Sequence, residues 1–136
     1  MKKIILIILF LVFPLQTIAE QEEPIFSFIV NGTECGNESK SSLIESNLKD
    51  GELNTSVKFS MNCAYVPHKP SYSLKENEVI FYFETFSPSG AMAHCVCDTT
   101  ILFKLSLKNS RHAGIYKDNE KTPKVKVIMD GTEINP

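Results

Sequence analysis

The sequence predicts an all-β fold: an antiparallel β-sandwich of six or seven short strands with at most one short helix. Three observations carry this prediction. Apolar residues recur with a period of two through most of the chain. The runs are short and punctuated by Asn-Gly, Asp-Gly and Pro-rich turns. All four cysteines lie downstream of an apolar leader, as expected of an exported chain that is cross-linked by disulfides.

The first element is that leader. Met1-Lys2-Lys3 precedes an unbroken apolar run from Ile4 to Phe13, and Thr17-Ile18-Ala19 offers a small-residue exit. This is the pattern of a secretory signal peptide over residues 1–19, cut after Ala19. The run is shorter than the ~20 apolar residues a membrane helix requires, so no span is expected after cleavage. Residues 20–136 then form a single domain of 117 residues. A domain of that size buries roughly 65% of its unfolded surface and needs no structural metal.

Within the domain, Ile25 to Val30 opens as a short strand. Asn31-Gly32, Asp50-Gly51 and Asp130-Gly131 are turn dipeptides, because Gly accepts the positive φ such turns need. Ser41 to Lys49 is the one segment with helical character: Ser42 and Glu45 have capping-box spacing, and Leu43, Ile44 and Leu48 share a stripe. Next comes the clearest strand, with Val57, Phe59, Met61, Cys63 and Tyr65 on one face and Lys58, Ser60, Asn62 and Ala64 on the other. Pro67-His68-Lys69-Pro70 reads as a loop.

Val79 to Phe83 is apolar on both faces, as in a central strand covered twice. Ser87-Pro88-Ser89-Gly90 marks the following loop. The longest alternation sets Cys95, Cys97, Thr99, Ile101, Phe103, Leu105 and Leu107 against Val96, Asp98, Thr100, Leu102, Lys104 and Ser106. Val125, Val127 and Met129 close the domain as a last alternating strand.

Charge excludes one class of partner. Removing Lys2 and Lys3 with the leader takes the formal net charge from −2 to −4. Lys117, Lys121, Lys124 and Lys126 are interspersed with Asp118, Glu120 and Asp130, so no basic track for nucleic acid is present. The sites at Asn31, Asn37 and Asn54 fit the glycosylation sequon, which carries no consequence behind a leader of bacterial type.

The cysteines are read as disulfides. Cys95 and Cys97 are two apart on a strand and point the same way, with Cα atoms ~6.5 Å apart and parallel Cβ vectors. Each is therefore expected to pair with Cys35 or Cys63, the order being open. The competing reading takes Met92, His94, Cys95 and Cys97 as soft ligands for copper. Oxidised sulfur is no thiolate ligand, so the structural reading is favoured and no cofactor or metal is expected.

Catalytic chemistry has little to stand on. His68, His94 and His112 are scattered, and there is no nucleophile elbow, zinc-protease helix or phosphate loop. Paired acids at Glu22 and Glu23, or Glu76 and Glu78, read as solvating groups. The aromatic run Phe81-Tyr82-Phe83 with Phe86 reads as core, with Tyr82 turned to the opposite face.

His94-Cys95-Val96-Cys97-Asp98, running into Ile101 to Leu105 and followed by Gly114-Ile115-Tyr116, resembles a pattern in small exported bacterial domains with an immunoglobulin-like sandwich. There a Cys-x-Cys opens one strand and a Gly-x-Tyr a later one. The likeness covers about a quarter of residues 20–136 and departs after Tyr116, where residues 117–124 are polar. It implies architecture and no assigned activity. The chain is thus expected to be a periplasmic or secreted, non-enzymatic binding module. Its loops at Pro67 to Ser71 and Ser87 to Ala93 would meet a protein or glycan: an envelope component, a secreted hydrolase or a polysaccharide.

Overall fold

Two Asp-Gly turns fix the hairpins from which the sandwich is built. Asp50 and Gly51 have φ of 52° and 73°, and Asp130 and Gly131 have φ of 50° and 80°. Positive φ at both central residues is the type I′ geometry, whose twist matches that of the flanking strands. The computed structural model describes residues 25–36, 42–75, 77–108 and 123–135. The leader ending at Ala19, together with Glu22, Glu23, Asn37, Glu76, His112 and Gly114-Ile115-Tyr116, lies outside them.

The described residues form eight strands, in order β1 Phe26–Gly36, β2 Leu43–Lys49, β3 Glu52–Asn62, β4 Val66–Leu74, β5 Glu78–Phe86, β6 Val96–Ser106, β7 Lys124–Met129 and β8 Thr132–Glu133. They form two four-stranded sheets, ordered β1-β6-β3-β2 and β4-β5-β7-β8. The all-β sandwich is as expected, and among the described residues there is no helix. This order differs from the A-B-E-D and C-F-G arrangement of the immunoglobulin constant-type sandwich. Every pairing is antiparallel except one. β5 and β7 run parallel, from Glu78 opposite Lys124 to Phe83 opposite Met129, because β6 lies between them in sequence but belongs to the other sheet.

Three local expectations change. Residues 43–49 are strand, where helix was expected. Leu43 to Lys49 pair residue for residue with Lys58 to Glu52 across the Asp50-Gly51 turn, which buries Leu48. The hairpin satisfies seven residues of backbone, whereas a two-turn helix is marginal alone. Asn31-Gly32 is no turn but part of β1, where the register slips between Gly32 and Cys35. The Pro67 to Pro70 segment is strand, with a bulge between His68 and Ser71 and Lys69 at φ 48°. Two prolines, a bulge and a lysine on an edge strand block pairing with another chain.

The core lies between the sheets. Leu53, Val57, Ile101, Phe103, Leu105 and Leu107 of the first face Val79, Phe81, Phe83 and Val127 of the second, all buried. Phe103 stacks on Phe81 with ring centroids 4.5 Å apart and planes 9° from parallel. Thr55 is a polar residue buried on this face, and its hydroxyl pairs with that of Ser46 at 3.1 Å. β5 is an inner strand of its sheet, but among the described residues no second layer covers its outer face: Ile80 there is only 6% exposed, Tyr82 is half-buried, and Glu84 and Phe86 are exposed.

On that outer face Lys126 Nζ lies 3.1 Å from Glu78 Oε1, and Lys75 Nζ 3.8 Å from Glu78 Oε2. The hydrogen bond from Lys126 holds Glu78 below its ordinary pKa, and the same bond raises Lys126 above its own. Glu78 therefore adds stability above its unfolded-state pKa that is lost as pH falls through the lowered folded value. Lys126 adds stability below its unfolded-state pKa that is lost as pH rises through the raised one. Glu78→Gln is expected to flatten both limbs. Melting temperatures measured across pH check this, and a wild-type–variant gap that stays constant from the acid limb to neutrality would refute it.

Candidate functional site at the cross-linked end

All four cysteines gather at one end of the first sheet, and period two explains half of this. Cys95 and Cys97 share the core-facing side with Thr99 and Ile101, and Cys63 shares the side of Phe59 and Met61. Cys35 needs more. Gly32 lies opposite Thr99 and Cys35 opposite Cys97, three residues against two. That bulge moves Cys35 onto the same face as Cys97.

Cys35 is bonded to Cys97 and Cys63 to Cys95, with Cα separations of 4.0 and 5.6 Å, and no cysteine is free. One bridge ties β1 to β6; the other ties the end of β3 to the residue before β6. The sulfurs of Cys35, Cys63 and Cys97 all lie within 4.8 Å of one another, so the two bridges are neighbours. Two disulfides suggest an oxidising compartment, such as that of an exported protein.

The loop from Ser87 to Cys95 closes over this end. Ser87 Oγ donates to the Ala91 carbonyl at 2.7 Å. Asn62 then acts as a short stretch of backbone: its Nδ2 donates to the Ala93 carbonyl at 2.6 Å, and its Oδ1 accepts from the amides of Ala93 at 3.1 Å and Ala64 at 3.0 Å. The amide of Cys63 donates to the Cys95 carbonyl at 3.2 Å, continuing the β3–β6 ladder past its formal end. The loop is thus fixed by covalent and hydrogen bonds at its base.

Met92 and His94 project from it. Met92 is 74% exposed, and His94 is exposed too. Of the soft-ligand set Met92, His94, Cys95 and Cys97, both sulfurs of the cysteines are bonded elsewhere, so neither is a thiolate in this state.

The strands beside this loop present more apolar surface. Val66 is 41% exposed and its cross-strand partner Phe86 43%. Phe81 and Phe83 are core as expected, but Phe86 is not. It stands on the outer face with Tyr82 and Glu84, and its ring lies 4.5 Å from that of His68. His68 Nδ1 donates to the Glu84 carbonyl at 3.1 Å, and its Nε2 sits 3.6 Å from Glu84 Oε2. Lys69 Nζ takes the same carboxylate oxygen at 2.7 Å. One histidine and one carboxylate therefore meet, on an exposed pair of strands and with a lysine on the acid.

A cavity of about 250 Å³ lies elsewhere, on the outer face of the first sheet, lined by Glu45, Asn47, Asn54, Ser56 and Lys104 among others. Neither described histidine, His68 or His94, lines it. No described helix is long and apolar enough to cross a membrane. The chain matches no family model, no curated protein and no solved structure.

Proposed function

We propose that this chain is a periplasmic or secreted binding module, without catalytic activity, that meets a partner protein through its cross-linked end. One observation carries the reading: Val66 and Phe86, paired across β4 and β5, and Met92, on a loop whose base two disulfides and Asn62 hold, are large apolar side chains left in water. Apolar residues rimmed by charge, here Lys69 and Glu84, mark surfaces that bind protein. Rigidity lowers the ordering cost of binding, which favours a fixed loop over a mobile one. An envelope component or a secreted hydrolase suits such a surface better than a glycan, because its most exposed members are the apolar side chains Val66, Phe86 and Met92.

The test compares the wild type with Phe86→Ser/Met92→Ser, both tagged at Pro136, in pull-downs from the envelope of the exporting cell. Substitutions at such exposed positions move stability by about 0.5 kcal/mol or less. The variant is expected to keep its melting temperature and lose the captured protein. Equal capture by both would refute the assignment of the surface. A polysaccharide retained by the wild type without any protein would refute the partner class.

A further inference from the structure

We propose that, once its disulfides are reduced, the chain binds a single Cu(I) ion through Cys35, Cys63 and Cys97. The inference rests on the sulfur geometry alone and is independent of the binding-module reading. Three sulfurs drawn from two different bridges lie within 4.8 Å of one another. An ion held by three sulfurs in a plane at ~2.3 Å keeps those sulfurs ~4 Å apart, so small side-chain rotations suffice.

Cys35 and Cys97 are bonded to each other, and backbone pairing brings the three positions together as well. Cys97 is held in register with Cys35 on one side and Met61 on the other, and Cys63 is tied to Cys95 by a backbone hydrogen bond. Those ladders persist when sulfur is reduced, provided the sandwich stays folded. Cys35 is exposed and Cys63 and Cys97 are half-buried, which leaves an entry path for an ion. Thiolates select soft ions, and Cu(I) accepts three of them, whereas Zn(II) seeks four ligands. Cys95 falls outside the set.

The chemistry balances with a dithiol reductant. Each bridge takes two electrons and two protons from one dithiol, which leaves as its own disulfide, so two dithiols yield four protein thiols. Cu(I) then forms three Cu–S bonds and displaces three protons, without change of its oxidation state.

The experiment uses the protein reduced with a dithiol under anaerobic conditions, freed of reductant, and titrated with Cu(I) supplied as a chromogenic chelator complex. Wild type and Cys95→Ser are expected to withdraw one Cu(I) per chain. Cys35→Ser, Cys63→Ser and Cys97→Ser are expected to bind at least tenfold more weakly, and Met92→Leu and His94→Ala to match the wild type. Near-ultraviolet circular dichroism follows the fold throughout. If reduction unfolds the chain, Cu(I) is expected to restore the native spectrum. Four outcomes would each overturn the proposal: no stoichiometric withdrawal, a Cys95→Ser loss equal to that of Cys63→Ser, copper uptake by the oxidised chain equal to that of the reduced one, or a reduced chain that Cu(I) leaves unfolded.

Discussion

Phe103→Ala is expected to cost about 4 kcal/mol, within the 3–5 kcal/mol span for deleting a buried aromatic ring. Phe103 has no exposed surface and sits midway along β6, the strand paired on both sides in the first sheet. Its ring stacks on Phe81 across the sandwich and is flanked by Phe28 at 5.4 Å and by Phe26 and Phe83 at 6.3 Å. Those rings are held by two strands, β1 in one sheet and β5 in the other, so they cannot close together over the missing one. The cavity should remain, and a trapped cavity keeps the cost well inside that range. Lys104→Ala, one residue on and facing outward, should change stability by about 0.5 kcal/mol or less. Guanidinium midpoints of the two variants decide the matter. A Phe103→Ala loss below about 1 kcal/mol would mean that the two sheets do not pack through this stack.

That contrast between neighbours was legible in the sequence, because period two is a property of the strand itself. β3, β6 and β7 declare their faces wherever an apolar residue alternates with Ser, Lys or Asp. β5 declares its central place by being apolar on both faces. The failures are equally physical. Leu43, Ile44 and Leu48 satisfy a helical stripe, while Ile44, Ser46 and Leu48 satisfy an alternation. Only the partner strand across Asp50-Gly51 decides between them. Asn31-Gly32 has the same local chemistry as the two Asp-Gly turns, yet β6 continues to pair past it, and the dipeptide leads into a bulge instead.

The candidate site divides in the same way. The shared face of Cys95 and Cys97 follows from their spacing, but their partners do not, since Cys35 reaches the core side only through that bulge. The parallel β5–β7 pair has no local signature, because it arises from the chain leaving for the other sheet and returning. Phe86 was hidden by its company. It extends an aromatic run whose other members at Phe81 and Phe83 are core, and only strand parity puts it outside.

Removing both disulfides is expected to cost about 7 kcal/mol, comparable to the whole of the 5–15 kcal/mol that holds a typical domain together at its lower end and nearly half at its upper end. The bridges are nested: Cys63–Cys95, spanning 32 residues, lies within the 62 residues spanned by Cys35–Cys97. Counted as independent loops in the chain-entropy model, they would contribute about 8 kcal/mol together. Nesting reduces this, because the inner bridge closes a chain whose ends the outer bridge already keeps near each other through the remaining 30 residues. Removing the inner pair alone, as Cys63→Ala/Cys95→Ala, should therefore cost about 3 kcal/mol, and the outer pair, as Cys35→Ala/Cys97→Ala, about 4 kcal/mol. The quadruple variant should lose slightly more than the sum of the two, since each bridge is worth more once the other is gone. Denaturant unfolding of the three variants against wild type measures all of these terms. If the inner pair proved the costlier, or the quadruple variant fell well short of the sum, then local packing at the cross-linked end would govern stability there, in place of the entropy of the unfolded chain.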